Sequence, residues 1–240
     1  PNIFRIVTLI GLIAAVVYVN QVIVPETDPL FVPTPTATRA PESFVTEAEN
    51  LLAQGKMIPA IAIYEDAIRA DPQNVSNYIT AAQLQVLTGD YEGAATNAEN
   101  ALLLSPNNSM AHAVRGWALG LLDDFLAGEA SLNTAVEFDP NNGIAYSYYT
   151  ELLVLQNEAG LDALGSLDKA VEASRMAEAL APNTMESHRA RGLVLELTGN
   201  YKEAIGEFEA AVALNNNVAD LHLALGRNYR YIQDYALAVE

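Results

Sequence analysis

Leu87 to Pro106 reads LTGDYEGAATNAENALLLSP. An apolar run meets a glycine, an aromatic (Tyr91) follows two residues later, an alanine-rich segment comes next, and a proline ends it. Ala94, Ala98 and Ala101 are spaced i, i+4 and i+7, which puts them on one side of a helix. With no side chain beyond Cβ there, a second helix can approach closely. The pattern returns at Leu52 to Pro72 (LAQGKMIPAIAIYEDAIRADP) and at Glu196 to Asn216 (ELTGNYKEAIGEFEAAVALNN). Pro72, Pro106 and Pro140 stand 34 residues apart. A period of that size means stacked helical hairpins, each burying its apolar face on the next, rather than one closed globule.

Working outward, the period divides 42–240 into about five and a half repeats. In repeat one, helices are predicted over about 42–53 and 58–70, with a turn at Gln54–Gly55 and Pro59 in the first turn of the second helix, where its missing N–H leaves no bond unmade. Repeat two covers Val75 to Asn108. Repeat three covers Ser109 to Asn142, with Asp123–Asp124 in place of the glycine turn, a less favourable helix end. Repeat four is longer, since Pro140 and Pro182 are 42 residues apart. Its first helix is expected to reach Glu158, and its second to run from about Leu161 to Leu180, projecting two extra turns. Repeat five, Met185 to Val218, has Asn216 where others have proline. Repeat six has a first helix through Ile232 and is expected to continue past Glu240, because a solenoid that stops in mid-hairpin leaves an apolar face open.

These residues resemble the tetratricopeptide repeat. The pattern is carried by Ala48, Gly55, Ala60, Tyr64, Ala67 and Pro72, and again by Ala82, Gly89, Tyr91, Ala94, Ala101 and Pro106. It recurs at Gly116, Phe125, Ala135 and Pro140, at Gly192, Gly199, Tyr201, Ala204, Phe208 and Ala211, and at Gly226, Tyr229, Tyr235 and Ala238. The resemblance implies an all-α, right-handed superhelical solenoid of antiparallel helix pairs. It also implies an inner wall built from the first helices that holds an extended peptide, a helix or a partner subunit. Carried onto this chain, the wall includes Ile79, Gln83, Met110, Trp117, Glu151, Arg189, Arg227 and Arg230. Trp117, the only tryptophan, is expected to face this groove as a contact anchor. The Lys/Arg/Asn clamp that some family members use on a carboxy-terminal carboxylate has no counterpart at Val45, Glu49, Ile79, Gln83, Met110 or Ala113.

The amino end is different. Phe4 to Val24 (FRIVTLIGLIAAVVYVNQVIV) holds one charge, Arg5, and as a helix would reach about 30 Å, the thickness of a bilayer core. Residues 1–24 are expected to form a membrane-spanning helix or an assembly helix. A cleaved signal peptide is the other reading, though no A-x-A junction follows. Gly11 and Ala15 make a small-xxx-small pair on one face, suited to a second helix. Arg5 on the amino side, against Glu26 and Asp28 beyond, places the amino end in the cytoplasm and the repeats outside. Residues 25–41, with five prolines among threonines, are expected to be an extended spacer.

Composition narrows the function. Lys+Arg 12 against Asp+Glu 30 gives a net charge of -18, so no basic stripe is available for a phosphate backbone and nucleic acid is not an expected partner. There is no cysteine, hence no disulfide or thiolate chemistry. His112, His188 and His222 occupy the same position of three repeats and do not converge. No nucleophile motif, phosphate loop or metal motif occurs, so neither an enzyme nor a cofactor is expected. Two classes remain: a membrane-tethered interaction scaffold, or a structural subunit of a filament or large complex with the amino helix packed on protein or on another copy.

Overall fold

The computed structural model describes residues 2–23, 39–161 and 165–239. The chain falls into two units, Pro1–Arg39 and Ala40–Glu240. In the first, α1 (Ile3–Tyr18) runs into a π-helical turn, Val19–Ile23. Its apolar side chains are exposed, and the window Ile3–Val22 has a mean hydropathy of 2.1 with none of it buried. Most of the proline-rich spacer, residues 24–38, lies outside the described residues.

The second unit is a stack of helical hairpins. The pairs are α2 (Pro41–Ala53) with α3 (Met57–Ala70), α4 (Val75–Thr88) with α5 (Tyr91–Leu104), and α6 (Ser109–Leu121) with α7 (Phe125–Phe138). They continue with α8 (Gly143–Glu158) and α9 (Ser166–Leu180), then α10 (Met185–Leu197) and α11 (Tyr201–Leu214), and end in α12 (Ala219–Tyr231). Each second helix packs on the next first helix, and α4, α6, α8 and α10 also touch in succession. That run of first helices makes the inner wall.

Local chemistry explains the repeated starts and stops. Asn74, Asn108 and Asn142 cap α4, α6 and α8, accepting from the backbone N–H of Ser76, Ala111 and Ala145 at 3.1, 2.9 and 3.0 Å. Thr184 does the same for Ser187 at α10 (3.2 Å). The fourth residue of the first helix reaches back to the stop before it. The Tyr78 hydroxyl donates to Pro72 O (3.3 Å), and the Nε2–H groups of His112 and His222 donate to Pro106 O (2.8 Å) and Asn216 O (3.0 Å). These histidines hold loop carbonyls. His188 instead meets Glu207 at 2.7 Å.

The crossing alanines are fully buried: Ala60, Ala67, Ala94, Ala98, Ala101 and Ala135 have no exposed area. In repeats three and five, a glycine of the first helix faces a larger residue of the second. A Cβ on Gly116 would come 2.6 Å from Leu132 Cγ and 2.8 Å from Gly128 O, and one on Gly192 would come 2.7 Å from the Phe208 ring. Repeat two fills the same place with Ala82 and Ala98.

Two expectations need correction. The second helix of repeat four starts at Ser166, not near Leu161, and its 15 residues do not project two extra turns. Gly160 and Gly165 take left-handed φ of +68° and +100°, which stops any helix from running through. The added length is shared between a 16-residue α8 and the connection that follows, of which 162–164 lie outside the described residues. Repeat six carries a 3-10 turn, Leu237–Val239, where a second α-helix was expected. At the Asp–Asp pair, where a less favourable helix end is expected, Asp123 adopts a left-handed φ of +62°.

The stack also comes round on itself. A Cβ on Gly55, in the turn of the first hairpin, would fall 2.9 Å from Asn217 Cγ, in the loop before α12. Residues 55–59 and 217, 219 and 220 border one cleft, and Leu87 packs against the core clusters of both the middle and the last hairpins.

Candidate functional site

Gln83, Trp117 and Glu151 stand at the 34-residue period on α4, α6 and α8, so stacking brings them into line along the inner wall. The line is occupied by its own side chains. Trp117 stacks on Tyr148 with ring centroids 4.1 Å apart and planes 7° from parallel. Its indole N–H donates to Glu151 Oε2 at 2.7 Å, and an Arg189 N–H donates to the same oxygen at 2.7 Å. The Arg189 guanidinium carbon lies 5.2 Å from the centre of the Trp117 ring. The Gln83 amide donates to the Tyr148 hydroxyl at 3.2 Å and approaches Met110 Sδ at 3.8 Å.

Trp117 is therefore 1% exposed and Glu151 3%. The expectation that Trp117 offers an open contact surface is corrected by this packing. It faces the inner side, but Tyr148, Glu151 and Arg189 cover it. Gln83, Met110, Trp117, Glu151 and Arg189 are brought together; Ile79 is half-buried against the central apolar cluster. Arg227 and Arg230 stay exposed on α12. Arg227 grips the Glu196 carboxylate, with Nη2 to Oε2 at 2.9 Å, and this bond holds its pKa above the ordinary value. Tyr148 is the member that the wall pattern missed. Its aromatic character was visible, but its place between Gln83 and Trp117 depends on three repeats at once.

Electrostatics single out Glu151. Burial pushes its carboxyl up to about 7, against the pull of Arg189 and the Trp117 N–H; Glu186 and Asp220 add to the rise. Burial also raises Tyr148, and it raises Tyr149 to about 12. Glu151 Oε1 is buried with no hydrogen-bond partner. Beside Glu151 a cavity of about 210 Å³ opens among α6, α8, α10, α11 and α12. Apolar side chains such as Val154, Leu193, Phe208 and Leu221 form much of its wall, with Glu158, Arg189, Asp220 and Arg227 as the other charged members. Among the described residues no group of three or more His, Cys, Asp or Glu is placed to hold a metal.

A family model for the tetratricopeptide repeat matches residues 185–218, the fifth repeat. The chain carries a tetratricopeptide repeat. Three solved structures share the fold of the repeat unit. TTC0263, a thermophilic tetratricopeptide-repeat protein of Thermus thermophilus, aligns with TM-score 0.61 at 19% identity, over 80% of this chain and 99% of that one. PilW, a widely conserved type IV pilus biogenesis factor, aligns with TM-score 0.54 at 18% identity, over 85% and 90%. The Cut9–Hcn1 hetero-tetramer of the APC/C aligns with TM-score 0.62 at 16% identity, over 85% of this chain and 39% of that one. No curated protein matches. The architecture is a tetratricopeptide-repeat solenoid, a fold that serves as a scaffold for protein–protein interaction.

Proposed function

We propose that the chain is a non-enzymatic, membrane-tethered scaffold whose inner wall binds a peptide or a partner subunit. The observation that carries the tether is α1 with its π turn. Twenty residues of mean hydropathy 2.1 present apolar side chains on all sides, with none buried by the protein itself. Water is a poor solvent for such a helix, and a span of about 30 Å suits a bilayer core. Arg5, in the first turn of α1, orients the amino end to the cytoplasm and the repeats to the outside. Gly11 and Ala15 give a second helix, from a copy or a partner, a place to approach.

On the inner wall, Arg227 and Arg230 are the exposed cations, Ile79, Gln83 and Met110 are half-buried, and Trp117, Glu151 and Arg189 form the floor. Partner binding here is carried by the rim and the cavity rather than by an open tryptophan.

The test compares mass and detergent dependence of the full chain with those of a chain starting at Pro41. A detergent-dependent full chain of small size beside a soluble, monomeric Pro41 chain supports the tether. A regular lipid-free polymer formed by the full chain alone makes α1 an assembly element and turns the reading to a structural subunit.

A further inference from the structure

We propose that the cavity beside Glu151 receives a single basic side chain, arginine or lysine, from a protein partner; this rests on the scaffold reading and names what the scaffold recognises. Size argues first. About 210 Å³ is below the roughly 300–1,000 Å³ usual for a cofactor or drug-sized ligand, and suits one long side chain. The wall comes next: Val154, Leu193 and Leu221 line a path suited to methylenes, and the charged groups suit a cationic tip.

Charge decides the sign. Both cations of the wall are already matched, Arg189 by Glu151 and Arg227 by Glu196. The acids are not. Glu158 and Asp220 are exposed and form no ion pair among the described residues. Glu158 is the last residue of α8, where the helix dipole disfavours a carboxylate and favours a cation. Glu151 spends Oε2 on Trp117 and Arg189, and its Oε1, buried and unpartnered, is an acceptor waiting for a donor. An anion would meet Glu158 and Asp220 while both arginines of the wall are already held by acids, and a purely apolar group would leave Oε1 unmet. The net charge of -18 draws basic segments in the same direction.

The probe is the capped pentapeptide Gly-Gly-Arg-Gly-Gly, with Lys, Leu and Glu versions at constant ionic strength. Each is titrated into the detergent-solubilised full chain while fluorescence is read from Trp117, the only tryptophan, which donates to Glu151. Saturable binding of the Arg and Lys peptides is expected, at least tenfold tighter than that of the Leu and Glu peptides. Glu151→Gln, checked for helicity, should weaken the Arg peptide about tenfold or more. Asp220→Asn, at an exposed position that does not threaten folding, should weaken it about two- to fivefold. Equal or tighter binding of the Leu or Glu peptide overturns the proposal, as does no binding of any peptide or an Arg affinity untouched by both variants. The scaffold reading is judged separately on a peptide array: capture that ignores Arg and Lys content and survives Glu151→Gln leaves the scaffold standing without this cavity.

Discussion

At the residue scale, the chemistry gathers on Glu151. Its carboxyl is raised from 4.5 to about 7, so between those values the folded chain holds a proton that the unfolded chain has released. Stability then falls as pH rises from about 4.5 to 7, by on the order of 3 kcal/mol if this group acted alone. Urea midpoints from pH 4.5 to 8 should show that slope, and Glu151→Gln should flatten it. Trp117→Phe keeps most of the stack on Tyr148 but removes the N–H that serves Oε2, and should cost about 1–3 kcal/mol in chemical unfolding. The wall position expected for Trp117 comes from the resemblance to the tetratricopeptide repeat, carried over by its place in one repeat. Its burial was hidden, because Tyr148 and Arg189 come from two other repeats.

At the element scale, what is local was readable. The alanines at i, i+4 and i+7 and the proline stops act within a few residues and mark α2 to α7 nearly to their ends; the asparagine caps, equally local, emerge only from the structure. Repeat four failed for a stated reason: an apolar Leu161 looked helical, while Gly160 and Gly165 in left-handed geometry decide where α9 starts. The hairpin crossings give a sharp test. Gly116→Ala puts a methyl against Gly128 O, a backbone atom that cannot swing aside, and should cost about 1–3 kcal/mol by thermal or urea unfolding. Asp123→Gly works the other way. It relieves a left-handed φ at an exposed turn and should raise stability by up to about 1 kcal/mol.

At the scale of the whole molecule, the meeting of Gly55 with Asn217 changes how the solenoid unfolds. A stack of repeats is ordinarily a line, in which each unit feels only its neighbours and the ends fray alone. Here the turn of the first hairpin meets the loop before α12, so over these residues the line is bent toward a ring. Ala62→Gly on the exposed face of α3 should weaken that helix by about 1 kcal/mol. In a line, hydrogen exchange would quicken only in α2 to α5; in a ring it should quicken in α12 as well, and the unfolding transition should stay single. The contact between the ends then acts as a clasp: whatever a partner does to the last hairpin is felt by the first, the one that follows the spacer from the amino-terminal helix.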